Sequence, residues 1–274
     1  MTGCGRIGAA GRFDHILIVP RQGARLAGSP GGQLGGDAMN VGSGTKAAGE
    51  GGAGARDRKV PSHEVTYARL RDMILYGHLA PGQPVTIQGL IQDLGAGMTP
   101  VREAIRRLTA EGALLPQGNR RVAVPPMTLS MLEQVAFARL TIEPKLAELA
   151  AAHVTPALIA GLEAADEEVN RAIGTGNIPA YLAANHAFHF ALYEASDAPV
   201  LVEMVRSLWL RAGPSLRWVI GRYGRAAAPD RHVEALAAMR AGDAAALSSA
   251  IARDIQQGVD HVRQALTEGA GRPA

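Results

Sequence analysis

The run Thr99-Pro100-Val101-Arg102-Glu103-Ala104-Ile105-Arg106-Arg107-Leu108, followed by Glu111-Gly112-Ala113-Leu114-Leu115, carries more structural information than any other in the chain. Thr99 is a good N-cap, and Pro100 suits the first turn of a helix, where its missing N–H has no partner to lose. Val101, Ile105 and Leu108 recur at helical spacing and form a stripe to be buried. Thr99, Arg102 and Arg106 fall on the other side, with the hydroxyl and the first guanidinium at the N-terminal end. A recognition helix meets DNA in this way, its first turn aiming such groups at base edges and phosphates in the major groove. The plainer alternative is a surface amphipathic helix with solvated arginines, and this segment alone leaves both open.

On the C-terminal side, Leu114-Leu115 and Val122-Ala123-Val124 bracket Gln117-Gly118-Asn119-Arg120-Arg121, which reads as a small hairpin with a basic tip. On the N-terminal side, Tyr67, Leu70, Ile74 and Leu75 give a helix that stops at Gly77, and 79–84 is a turn. Ile87, Leu90, Ile91 and Leu94 mark a second short helix, and Gly95-Ala96-Gly97 is a tight link into the third. Three helices followed by a hairpin is the winged helix-turn-helix order, the wing reaching for backbone or minor groove. A basic hairpin tip by itself is more often a solvated loop. Its place directly after the Thr99 helix points to DNA.

Residues 67–126 resemble the DNA-binding domain of the GntR family of bacterial transcription regulators. The residues that carry the resemblance are Ile74, Gly77, Leu79, Pro81 and Gly82, then Leu90 to Gly95, then Thr99 to Ala104 with Glu111-Gly112. Gly97 and Met98 stand where the family has serine and arginine, so the helix lacks one base or phosphate contact and a hydroxyl cap. Thr99, Arg102 and Arg106 on the helix, with Gly118, Arg120 and Arg121 on the wing, form the candidate set for a double-stranded operator.

The 274 residues allow one large or two modest domains plus tails. Net charge is only +3 although the sequence pI is about 9.3, so nucleic-acid contact has to come from a local patch. The single cysteine, Cys4, excludes an intrachain disulfide framework and a multi-cysteine zinc knuckle. The early apolar run Ile16 to Val19 is too short for a signal sequence or a membrane span, which makes a soluble cytoplasmic protein the default. Residues 1–60 hold 16 of the 33 glycines, which makes packing against a core improbable and gives a tail expected to be disordered over 1–62. Gly42-Ser43-Gly44-Thr45-Lys46 lacks the order of a phosphate loop and follows no strand.

Pro125-Pro126 ends the head, assigned to 63–126. From 127 to 268 nearly everything is helical, with apolar three-to-four spacing near 128–153, 156–174, 178–196, 198–222, 229–241 and 243–267, before a short tail over 269–274. The expected fold is therefore mainly α: a winged helix-turn-helix of three helices and a small β-hairpin, followed by an all-α helical bundle. Bundles place ligand and metal sites among inward-facing polar residues.

Asn185 and His189 share one helix face inside an apolar frame, His232 opens a later helix, and Asp254 lies beside Ile251 and Ile255 in the last. An i, i+4 pair joined by one ligand from each of two other helices can enclose a divalent cation. Taken one at a time, each histidine reads as a satisfied core or surface residue. His186 points about 100° away from His189 around the helix and is not read as a ligand.

The combination resembles the FCD (FadR C-terminal) ligand-binding domain, on Arg139-x-x-x-Glu143, on Phe188-His189 with Ala195, and on His232 followed by Ala238-Met239-Arg240-Ala241-Gly242-Asp243. Metal-binding members use Asp-x-x-x-His plus two further histidines. The resemblance maps His189 and His232 onto that set, with Asn185 in place of the aspartate and Asp254 in place of the last histidine. Such a set suits Zn²⁺, Ni²⁺ or Mn²⁺, with His261 as the fallback ligand. The resemblance further implies a small organic or sugar acid as effector, a homodimer and a palindromic operator. Arg139, Arg206 and Arg217 are the candidates to clamp an effector carboxylate, although helix arginines usually face solvent. Trp209 and Trp218 read as core or dimer-interface aromatics.

The sequence thus leads to a DNA-binding regulator, a repressor that responds to an effector, and not to an enzyme. A metal-dependent enzyme built on Asn185, His189, His232 and Asp254 is the first alternative, but no further acid, base or nucleophile can be set beside them. An architectural DNA binder without an effector is the second.

Overall fold

The computed structural model describes residues 62–218 and 230–268. The glycine-rich tail, apart from Ser62, the tail over 269–274 and the end of the helix expected over 198–222 lie outside the described residues.

Helix α1 (Ser62–Leu75) buries Thr66, Leu70, Ile74 and Leu75. After the turn comes a two-residue strand, β1 (Val85–Thr86), too short for any periodicity to register. Thr86 caps α2 (Ile87–Leu94), its Oγ1 accepting the N–H of Gly89 at 3.0 Å. Helix α3 (Met98–Ala110) begins one residue before Thr99, and this corrects the capping assignment: Gly97 is the N-cap, with no side chain to cap the helix. Pro100 is then the third helical residue, which proline tolerates because the first N–H groups of a helix have no intrahelical partners.

Strands β2 (Leu115–Gln117) and β3 (Arg121–Ala123) make the expected hairpin, and β1 extends it to an antiparallel sheet of order β1-β3-β2. Val85 pairs with Val122, and Leu115 with Ala123. Leu70, Ile74, Leu90, Leu94, Val101 and Leu108 close a core under α3, so the polar side of α3 is left to solvent.

The bundle comprises α4 (Leu129–Ala150), α5 (Pro156–Thr175), α6 (Ile178–Glu194), α7 (Pro199–Ala212), α8 (Arg231–Ala241) and α9 (Ala244–Thr267). Five of these six starts are legible in a capping residue: Thr128, Thr155, Asn177, Asp230 and Asp243 all accept a backbone N–H three residues on, whereas α7 follows Ala198, which has no side chain to cap it, and opens on Pro199. α9 packs on α4 and α8, α5 on α6, and α4 also on α7. The continuous helix expected from 198 is instead interrupted: α7 ends at Ala212 and a tight 3-10 turn runs Gly213–Leu216. Pro214 has no N–H to offer the carbonyl of Leu210, so the helical ladder stops there.

Candidate functional site

Two separate surfaces carry polar chemistry. The first is the solvent side of α3 and the hairpin. Thr99, Arg102, Arg106, Gly118, Arg120 and Arg121 are all exposed. Arg106 is tied to Glu103, with Nη2 2.6 Å from Oε1, whereas neither Arg102 nor Arg121 has an ion-pair partner among the described residues. The hairpin tip passes through left-handed backbone at Asn119 (φ 62°) and Arg120 (φ 57°). It does not hang free: the carbonyl of Arg120 accepts the N–H of Ile87 at 3.1 Å, fixing the wing against the start of α2. Met98, half-exposed, adds an apolar group at the mouth of α3.

The second surface is internal. Helix α6 supplies Asn185 and His189, α8 supplies His232, and α9 supplies Asp254. His189 is fully buried and His232 nearly so. His189 Nε2 lies 3.1 Å from Asp254 Oδ2, and His232 Nε2 lies 4.0 Å from Asp254 Oδ1. Neither Nε2 has an aligned hydrogen-bond partner. Together the three side chains offer ligand atoms within 4.8 Å of one another.

The partners of the other ring nitrogens explain why both Nε2 atoms are left bare. His232 Nδ1–H donates to Asp166 Oδ1 at 2.8 Å. His189 Nδ1 lies 3.0 Å from the hydroxyl of Tyr193, whose own proton goes to Glu143 Oε2 at 2.7 Å. The hydroxyl oxygen is therefore left to accept from Nδ1–H, which turns Nε2 of His189 towards Asp254. Carboxylates and hydroxyls behind a histidine are the usual way in which a ligating nitrogen is aimed. Burial alone would raise the Asp254 carboxyl, but His189, His232 and Arg139 outweigh it and hold the group at about 2. Burial would likewise lower His232, yet its bond to Asp166 and the charges of Asp254, Asp166 and Asp230 raise it.

A cavity of about 50 Å³ opens beside this cluster, lined by Arg139, Tyr181, Asn185, His189, Asp254 and His261 among others. It adjoins a smaller recess of about 10 Å³ with apolar walls including Leu132, Val135, Val259 and Val262. Arg139, Leu216 and Gly258 border both. Of the three candidate effector arginines only Arg139 reaches the cavity. Arg206 pairs with Glu194 and lies over the ring of Phe190, and Arg217 is not among the lining residues. Trp209 is core, its indole N–H given to Glu143.

Asp166, Tyr193 and Glu143 complete the cluster. Asp166 sits among Glu167 and Glu168, which disguises it as part of a solvated face. Its helical register with Leu162 and Val169, both buried, is the signal that could have identified it.

Comparison with known proteins agrees with this architecture. Residues 63–124 match the family described as bacterial regulatory proteins, gntR family, and residues 134–257 match the FCD domain. The HTH-type transcriptional regulator McbR of Escherichia coli is 30% identical over 194 residues, covering 69% of this chain and 87% of McbR. The HTH-type transcriptional repressor RspR of Escherichia coli is 22% identical over 214 residues, 77% of this chain and 92% of RspR. The solved structure of E. coli McbR/YncC superposes with a TM-score of 0.70 at 28% identity, covering 76% of this chain and 99% of that one. No helix among the described residues is long and apolar enough to cross a membrane.

Proposed function

The chain belongs to the GntR family of bacterial regulators, with an FCD domain behind its head, and from that premise we propose that it is a homodimeric repressor whose bundle takes a divalent cation and then a small carboxylate. It is a DNA-binding transcriptional regulator and not an enzyme, as both matched domains and its relatives are. The repressor role follows the name of RspR. Two heads brought together by a symmetric dimer would meet a palindromic operator in the cytoplasm, with Thr99, Arg102 and the wing arginines at the duplex.

The observation that carries the cation is the pair of buried, bare Nε2 atoms facing one carboxylate, each with its Nδ1 already committed. Zn²⁺, Ni²⁺ and Mn²⁺ suit two imidazoles and a carboxylate, and the Asn185 carbonyl oxygen is the fourth candidate donor. When bound, the ion supplies positive charge to a cavity that otherwise has little free. Asp166 and Tyr193 orient the imidazoles, and Asp254 and Asp166, which favour a proton on His232, would favour a cation in its place.

Elemental analysis of the purified full chain, followed by thermal-shift screening of small carboxylates with and without added Mn²⁺, Ni²⁺ or Zn²⁺, tests the reading. Carboxylates should raise the melting temperature only when metal is present. An equal rise after chelation, or no response to any metal, overturns it. Separately, Arg102→Ala should weaken binding to an operator duplex by about 1–3 kcal/mol if that arginine reads a base, and unchanged affinity in a gel shift removes the role.

A further inference from the structure

Head and bundle meet along a seam that has no part in either surface described above. At one end, α1 runs into the 3-10 turn after α7. A Cβ on Gly213 would lie 2.9 Å from Leu75 Cδ1 and 3.2 Å from the Leu75 carbonyl oxygen, so any larger residue would have to turn the Leu75 side chain and push the two backbones apart by a few tenths of an ångström. At the other end, Arg211 in the last turn of α7 donates from Nη2 to the carbonyl oxygen of Glu111 at 2.8 Å, across 100 residues of chain.

Glu111 is the C-cap of α3, the recognition helix. The last carbonyls of a helix have no intrahelical donors and carry partial negative charge, so a guanidinium is favoured there. Gly112 follows with φ +74°, and a Cβ on it would come within 3.0 Å of the Arg211 guanidinium. The side chain of Glu111 is occupied on the head's side, accepting from Tyr67 Oη at 2.9 Å and from Arg107 Nε at 3.3 Å. The residue is therefore gripped twice, by its side chain from α1 and α3 and by its carbonyl from the bundle.

From that grip, α7 leads straight to the cation cluster. Trp209, two residues before Arg211, sets its ring 5.1 Å from that of His189 and gives its indole N–H to Glu143 at 3.2 Å. Glu143 holds Tyr193, and Tyr193 holds His189. One turn of α7 thus touches the outer shell of the ligand cluster and the end of the recognition helix.

We propose that Arg211 is the positioning residue through which the bundle sets the orientation of the recognition helix, touching neither DNA nor effector itself. A ligand that moves His189 or Trp209 displaces the last turn of α7, and Arg211 carries that displacement to Glu111 and so to α3. The direction of this signal rests on the cation reading given above; the grip on α3 does not.

The test compares the full-length wild type with Arg211→Ala and Arg211→Lys, using Mn²⁺ alone as the ligand and a duplex selected on the wild-type protein. Hydrogen exchange is followed over residues 98–114, alongside melting temperature and duplex affinity. Without metal, Arg211→Ala should raise exchange at the C-terminal end of α3 several-fold and alter duplex affinity, with Arg211→Lys in between. With Mn²⁺, the gain in melting temperature should be the same in wild type and Arg211→Ala, while the metal-dependent change in α3 exchange and duplex affinity is lost only in the alanine variant. An Arg211→Ala protein whose head still responds to Mn²⁺ as the wild type does overturns the proposal. Should Mn²⁺ leave even the wild-type melting temperature unmoved, the cation reading fails alone. The proposal is then decided by the metal-free arm, where unchanged α3 exchange and unchanged affinity overturn it.

Discussion

Glu143 is fully buried and its carboxylate receives four donors: Arg139 Nε at 2.5 Å, Arg139 Nη2 at 3.2 Å, Tyr193 Oη at 2.7 Å and Trp209 Nε1 at 3.2 Å. Glu143→Gln keeps the shape but removes the charge, leaving the buried guanidinium of Arg139 without its hydrogen-bonded counter-ion. Breaking one side of a buried pair costs about 3–5 kcal/mol, because the surviving charge stays desolvated. For a domain of this size each kcal/mol lowers the melting temperature by about 2–4 °C, so the variant should melt roughly 6–20 °C below wild type. Arg139→Met alone should be as harmful, since Glu143 is then the uncompensated ion. The double variant Arg139→Met/Glu143→Gln removes both charges and retains an acceptor for Tyr193 and Trp209. It should be more stable than either single variant. Urea unfolding of the four proteins gives the coupling energy directly. If the double variant falls by the sum of the single losses, the two groups do not act as a unit and the reasoning is refuted.

His186 stacks on Phe190 with ring centroids 4.2 Å apart and meets Tyr76 and Trp209 edge-on, and burial, aided by Arg71, Arg206 and His189, holds it at about 3 against an ordinary 6.5. The unfolded chain therefore takes up this proton first, so the associated stability is full above 6.5 and is lost as pH falls towards 3. The loss amounts to about 2.5 kcal/mol between pH 7 and pH 4.5. His186→Phe should remove that part of the acid sensitivity in denaturation curves at the two pH values, and an undiminished pH dependence would count against a neutral buried imidazole. Gly97 has φ −71° and ψ 163°, open to any residue, and a Cβ there would meet Pro100 Cδ at an ordinary 3.6 Å. Gly97→Ser should supply the missing cap hydroxyl, adding a few tenths of a kcal/mol and slowing hydrogen exchange in the first turn of α3. Faster exchange there would show that the hydroxyl does not cap.

The parts of the molecule legible in the sequence are those written in local periodicity. The stripe Val101, Ile105 and Leu108 announces α3, and all three are buried. Thr155 before Pro156 and Asn177 before Ile178-Pro179 announce bundle helices that begin where expected. The start of α3 is harder to place, because Thr99-Pro100 satisfies capping preferences while the extended backbone of Gly97 begins the helix one residue before Thr99 with no side-chain signal. β1 escaped because a strand of two residues exists only through its pairing with β3. In the ligand cluster, His189, His232 and Asp254 could be nominated from residue type and helical face. Asp166 and Tyr193 could not, since their importance lies in which ring nitrogen they address from another helix or another turn. Arg211 was invisible for a stronger reason: its partner is a main-chain carbonyl 100 residues away, and a carbonyl has no sequence signature.

The charges around the cavity bear on the order in which ligands enter. Arg139 is the cationic side chain that lines it, and its charge is already answered by Glu143. Before a cation binds, the anionic side chain that faces the cavity is Asp254. A carboxylate placed about 5 Å from it at an effective dielectric near 20 meets a repulsion of roughly 3 kcal/mol, on the order of a hundredfold in affinity. A divalent cation held by Asp254 and the two imidazoles reverses that sign, so metal and acid should strengthen each other by the same factor. Asp254→Asn separates the two roles of this one side chain. In metal-free protein the variant should bind a small carboxylate more tightly than wild type, because the repulsion is gone. In the presence of Mn²⁺ the order should invert, because the variant has lost its anionic ligand while the wild type has turned Asp254 from an obstacle into the anchor of the attracting ion. Calorimetric titration of both proteins in both conditions reads this crossing, and a variant that ranks the same way with and without metal would show that Asp254 does not govern entry to the cavity.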